Sequence, residues 1–191
     1  STVFRKLPLG DSLNRAYIYR MVNDVAEADI IWLGTSLGLC RLNRRTLQRT
    51  WFIPSRDIPG LPSDKAPIFD QYGPDEIWLY YTYFNSLGRF DKRTGKFELF
   101  RPAPGDQGVL DGDIKDIAIG ADGNIWLATL FGLANFHIPT RTFRIFTKRD
   151  GLPENELNTV ILDQRGRLWI CGNRFLALYD GQGGGFKSYL I

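Results

Sequence analysis

Apolar runs of four to six residues, separated by turns rich in glycine, aspartate and asparagine, fill the chain, and nowhere does a helical spacing persist over ten or more residues. Tyr17-Ile18-Tyr19-Arg20-Met21-Val22 reads as a strand. After the polar turn Asn23 to Asp29, Ile30-Ile31-Trp32-Leu33 is apolar at successive positions, which means packing on both faces and hence a strand between sheets. Gly34 and Gly38 bracket a turn, Leu39-Cys40-Arg41-Leu42 returns, and Arg44-Arg45-Thr46 turns the chain again. Residues 48–53, carrying Trp51, form a more polar fourth strand. One unit is therefore a four-stranded meander.

The chain writes this unit again. Ile31-Trp32-Leu33-Gly34-Thr35-Ser36-Leu37-Gly38-Leu39 has its nearest copy in Ile125-Trp126-Leu127-Ala128-Thr129-Leu130-Phe131-Gly132-Leu133, while Ile77-Trp78-Leu79 and Leu168-Trp169-Ile170 head two looser ones. A period in the forties with strands inside it marks a stacked or radial repeat protein, and four-stranded antiparallel units of ~40–50 residues match the blades of a β-propeller. The expected fold is all-β: four blades over about 16–53, 66–100, 113–146 and 157–190, in one domain covering 1–191. The second blade begins at Ala66-Pro67-Ile68-Phe69, and Asp122-Gly123 is the hairpin signal of the third. Residues 2–7 alternate as a strand left over from a preceding repeat. The array is expected as an arc of a larger ring, a self-associating half ring, or a small closed propeller, with Trp32, Trp78, Trp126 and Trp169 as wedges between blades.

Composition narrows the function more than the fold. A net charge of +3, from 24 basic and 21 acidic residues without a basic stripe, argues against nucleic acid. Arg41, Arg44, Arg45 and Arg49 suit the solvated face of an outer hairpin. No apolar run approaches the ~20 residues of a membrane span, so membrane contact by this segment is not expected. Beginning at Ser1 in mid-repeat, the chain reads as a mature or excised segment. Cys40 and Cys171 lack metal-ligand spacing. Two buried thiols are expected, with a disulfide between first and last repeats as the alternative.

Gly151-Leu152-Pro153-Glu154-Asn155-Glu156-Leu157, then a strand, then Asp163-Gln164-Arg165-Gly166-Arg167-Leu168-Trp169-Ile170, together with the Trp-Leu-Gly-Thr and Gly-Leu of the first copy, resemble the two-component regulator propeller repeat. Phe90-Asp91 before Thr94-Gly95-Lys96-Phe97, and Tyr179-Asp180, fit the later part of that pattern. The likeness covers essentially the whole chain. It implies the periplasmic sensor region of a bacterial histidine kinase or hybrid two-component protein, a non-enzymatic module in which several relatives respond to oligosaccharides. The second copy departs from the pattern, replacing its glycine turn with Tyr80-Tyr81-Thr82-Tyr83-Phe84-Asn85-Ser86, and the fourth carries Cys171-Gly172-Asn173-Arg174. Asp91 to Lys96 is similar to quinoprotein propellers, but those repeat an outer-strand tryptophan for which only Trp51 is available.

Catalytic groups are sparse. His137 is the one histidine and sits between Phe136 and Ile138 in a return strand, which suits a structural role. Asp106, Asp111 and Asp113 do not match a calcium loop and are expected as turn residues. No cofactor, metal site or catalytic residue is expected. In a propeller, the loops joining second to third strands and fourth to next first strands share one edge. That edge would gather Tyr81, Tyr83, Phe84, Asn85, Phe131, Asn173 and Arg174 with Lys148, Arg149, Asp150 and Asn155. Aromatic faces beside amide and guanidinium donors suit a sugar ring or a flat apolar ligand; equally, Tyr80 to Phe84 could fill the space of the lost glycines. The partners expected are a small-molecule or oligosaccharide ligand and further blades, from the same chain or a second copy. A protein-interaction scaffold and a propeller-type lyase are the alternatives.

Overall fold

The computed structural model describes residues 16–58, 69–81, 86–101, 114–181 and 185–190. They form four four-stranded antiparallel sheets, each a meander in which sequence neighbours pair. The first holds β1 (Ile18–Asn23), β2 (Ile30–Thr35), β3 (Gly38–Asn43) and β4 (Arg49–Phe52). The second holds β5 (Phe69–Tyr72), β6 (Glu76–Tyr81), β7 (Ser86–Asp91) and β8 (Lys96–Phe100). The third holds β9 (Ile114–Ile119), β10 (Asn124–Thr129), β11 (Leu133–His137) and β12 (Thr142–Phe146). The fourth holds β13 (Leu157–Leu162), β14 (Leu168–Gly172), β15 (Phe175–Tyr179) and β16 (Phe186–Leu190). This is the blade architecture expected of the repeat.

One expectation shifts in register: β1 starts one residue later than Tyr17. In the second sheet the turn at Gly73, whose φ of +60° closes the hairpin, joins β5 to β6. Residues 2–7, 66–68 and the aspartates at 106, 111 and 113 lie outside the described residues.

The Gly-Thr-x-x-Gly-Leu motif builds the turn between second and third strands. Thr35 Oγ1 donates to the Gly38 carbonyl at 2.9 Å and accepts from the Leu37 amide at 3.0 Å; Thr129 repeats both bonds with Gly132 and Phe131 at 2.8 and 3.0 Å. Gly38 has φ +115°, and a Cβ there would sit 2.4 Å from the Phe52 carbonyl oxygen. Only glycine fits such a position.

The second strands of the first and third sheets are buried on both faces, as their unbroken apolar runs require. The core consists of inter-sheet layers. Trp32 packs on Phe52 and, across the gap, on Phe90 of the second sheet at 5.6 Å. Trp78 reaches Phe136 of the third sheet at 5.6 Å, and Trp126 reaches Tyr179 of the fourth at 5.2 Å. Each is a tilted or edge-on pair, the arrangement aromatic quadrupoles favour. Trp169 has no sheet beyond it among the described residues: it is half-buried, and its one aromatic neighbour among them is Tyr189 of its own sheet, at 6.2 Å. Both cysteines are free thiols, so the disulfide alternative is not formed, and Cys171 is half-buried rather than buried like Cys40. The reason is position: Cys171 shares the face of Trp169, whereas Cys40 packs with Leu33 and Leu42.

Candidate functional site

The connection from β12 to β13 is built by local hydrogen bonds. Thr147 caps the 3₁₀ turn Lys148–Asp150: its Oγ1 accepts from the Arg149 amide at 3.2 Å, and Asp150 Oδ2 receives the Thr147 amide at 2.8 Å. Gly151 closes the turn at φ +93°. Asn155 Oδ1 accepts from the Lys148 amide at 2.9 Å, so this residue holds its own loop in shape. Arg149 is exposed beside it. Phe131, 54% exposed, projects from the β10–β11 turn, and Asn173 in the β14–β15 turn accepts from Asn158 at 3.0 Å, with Arg174 exposed next to it. The meander topology puts these three loops on one edge. Tyr81 ends β6 opposite Ser86, while Tyr83, Phe84 and Asn85 lie outside the described residues.

Two cavities lie elsewhere, and none of those loop residues lines them. One, about 330 Å³, runs along the first strands of the sheets. Arg20 of β1 donates to Asp116 Oδ1 of β9 at 2.8 Å, which ties the first sheet to the third. Thr159 Oγ1 and the Val160 amide of β13 both bond to Asp116 Oδ2. Asp70 of β5 completes the lining, its carboxyl pushed above the usual range by burial. Four strands thus contribute one polar group each to an axial cluster. Sequence reading missed it because its members are scattered over the whole chain; the one signal was an aspartate interrupting the apolar side of Ile114-Lys115-Asp116-Ile117.

The other cavity, about 790 Å³, is a groove between third and fourth sheets at the opposite edge, where the β9–β10, β13–β14 and β15–β16 turns gather. Its floor is Trp126, Phe146, Leu162 and Tyr179; Arg144, Asn135, Asp122, Asp163, Arg167 and Asp180 surround it. The Arg144 guanidinium lies 4.1 Å above the Phe146 ring. The size falls within the ~300–1,000 Å³ of small-molecule sites. Composition gave no hint of it: its opening depends on two turn glycines in different repeats.

Electrostatics concentrate at the same edge in the other blades. Asp24 receives the Trp32 indole N–H at 2.6 Å and Lys92 Nζ at 2.8 Å. Burial raises its pKa, but these donors and the Ala26 and Glu27 amides outweigh it, holding the carboxyl at about 2. Asp163 is held far below the ordinary carboxylate range by the Trp169 indole, with the Arg167 and Arg165 amides and the Arg167 guanidinium adding to it. His137 Nδ1 lies 2.9 Å from Thr140 Oγ1 in the β11–β12 turn. Among the described residues no group of three or more His, Cys, Asp or Glu side chains could hold a metal, and no helix is long and apolar enough to cross a membrane.

No family model matches the chain, and no curated protein matches its sequence. Solved structures do match. The extracellular domain of the hybrid two-component system BT4673 of B. thetaiotaomicron is similar over 90% of this chain and 21% of its own, with a TM-score of 0.68 at 18% identity. That of BT3049 from the same organism is similar over 91% of this chain and 24% of its own, with a TM-score of 0.68 at 20% identity. A streptogramin B lyase matches over 92% of this chain and 58% of its own, with a TM-score of 0.66 at 17% identity. The chain spans about a quarter or less of those extracellular domains. It is a β-propeller-repeat protein with the blade fold found in the extracellular domains of hybrid two-component systems.

Proposed function

We propose that this chain is the ligand-sensing propeller region of a bacterial two-component sensor, working outside the cytoplasm and without catalysis of its own. The observation that carries the proposal is a double likeness. The repeat motif at Gly151 to Leu157 and Asp163 to Ile170 resembles the two-component regulator propeller, and the blades superpose on sensor extracellular domains. The ligand in this reading is an oligosaccharide, taken up at the loop edge by the aromatic run from Tyr81 to Asn85 with Phe131, Arg149, Asn155, Asn173 and Arg174. Exposed Phe131 offers stacking area there, and Arg149 and Arg174 offer donors.

Calorimetry with an oligosaccharide panel tests it. Wild type should bind at least one member, and Tyr83→Ala should weaken that binding at least tenfold. Equal binding by the variant removes the loop-edge site. Failure of the whole panel removes the oligosaccharide. The lyase likeness supports a second reading, which the release of an altered product would favour.

A further inference from the structure

The groove between third and fourth sheets differs from its counterparts in what it does with one tryptophan. Trp32 gives its indole N–H to Asp24 at 2.6 Å, Trp78 to Glu76 at 2.9 Å and Trp169 to Asp163 at 3.0 Å. Each acceptor is a carboxylate that also meets a cation: Lys92 at 2.8 Å, Arg89 at 3.2 Å and Arg167 at 2.7 Å respectively. Trp126 is 7% exposed and lines the groove, yet its N–H has no partner among the described residues. It is not sealed in protein either, since the one buried unpaired side-chain N or O atom among them is Arg89 Nε. The N–H therefore opens onto the groove.

The register shows why. Asp24 stands two residues beyond Val22, the strand partner of Trp32; Gly120 stands two beyond Ala118, the strand partner of Trp126. Two residues beyond Phe90 stands Lys92, whose ion pair with Asp24 closes the first gap; two beyond Tyr179 stands Gly181. The carboxylate and the cation that plug a sister gap are both glycine here, and the space they would fill is the cavity. A cation survives in its wall: Arg144 makes no ion pair among the described residues and lies over Phe146. Three carboxylates share the wall. Asp163 is neutralised by Arg167, and both Asp122 oxygens receive Asn124, from its amide at 3.1 Å and its side chain at 2.8 Å. Of the three, only Asp180 receives no side-chain partner among the described residues, so the groove offers two donors at one place and an acceptor at another.

We propose that this groove binds a small organic acid carrying an adjacent hydroxyl or amino group, its carboxylate accepting from Trp126 Nε1–H and Arg144 and its own donor serving Asp180. The carboxylate takes the place that Asp24, Glu76 and Asp163 fill in the sister blades, and charge-assisted bonds of this kind are the strong ones. The site is on the edge opposite the loop edge, and the inference does not rest on the sensor reading.

The assigned Trp126 indole cross-peak in ¹H–¹⁵N spectra of the whole chain tests it, with L-lactate, L-alanine and glucose as probes at millimolar concentration. Either acid should move that peak saturably while glucose leaves it in place. A response to lactate alone identifies a hydroxy acid, and one to alanine alone an amino acid. Arg144→Ala, an exposed change that leaves the core intact, should weaken the response at least tenfold. Gly120→Asp restores the sister carboxylate; it should shift the peak in the free protein and abolish the response. A Cβ there would lie 2.3 Å from Asp122 Oδ1, the far end of a side chain that can swing aside. A peak that neither acid moves, that glucose moves equally, or that still titrates in Gly120→Asp overturns the proposal.

Discussion

Replacing Asp116 by alanine strips Arg20, Thr159 and the Ile117 and Val160 amides of their acceptor at once. Bonds to a charged acceptor contribute about 1.5–3 kcal/mol each and do not add fully, so a loss of roughly 2–3 kcal/mol in urea unfolding is expected. A change below 0.5 kcal/mol would mean that the axial cluster is incidental. Asp24 and Asp163 make a pH prediction. Their folded pKa values lie below the ordinary ~4, so their stabilisation is complete above about pH 4 and is lost as pH falls through 4 toward 2. Asp70, raised by burial, acts in the opposite sense and blunts this fall. Urea midpoints measured from pH 5 to 2 should drop, and less steeply in Lys92→Met. At this scale the sequence was only partly legible. The Thr–Gly turns were visible because their geometry is local. Asp116 with Arg20 was not, because 96 residues separate the pair.

The tryptophans rank the interfaces between sheets. Trp78, 1% exposed, packs on Phe100 and Phe136, and its replacement by alanine should cost about 3–5 kcal/mol as a large core deletion does. Trp169 is half-buried, with Tyr189 its one aromatic neighbour among the described residues, and its loss should cost about 1 kcal/mol. Equal costs would contradict the wedge. Element types and their order were legible because a period of two between glycine turns admits little else. The groove at Trp126 was not: Gly120 and Gly181 each read as ordinary turn residues until two sheets are placed side by side.

Seen whole, the molecule has inter-sheet gaps filled by aromatic layers and a fourth sheet whose far side carries Trp169, Cys171, Leu176 and Leu178 half-buried, with Ile161 61% exposed. That apolar area is the surface through which a second copy or a further blade is expected to dock. Sedimentation of the chain should show association with rising concentration that Leu178→Lys weakens; a monomer at all concentrations would contradict it. The thiols report the same asymmetry. Cys40 is fully buried and its pKa is pushed up to about 11 by burial, whereas Cys171 lies on the far side of the fourth sheet. Native protein should release one equivalent of thiol to an aromatic disulfide reagent at pH 8 and two after unfolding. The most direct test of a binding rather than catalytic propeller is saturation-transfer NMR on an oligosaccharide panel. Transfer to at least one oligosaccharide is predicted, with that ligand's own spectrum unchanged throughout the incubation. Transfer to none of them, or the growth of new product signals, would contradict it.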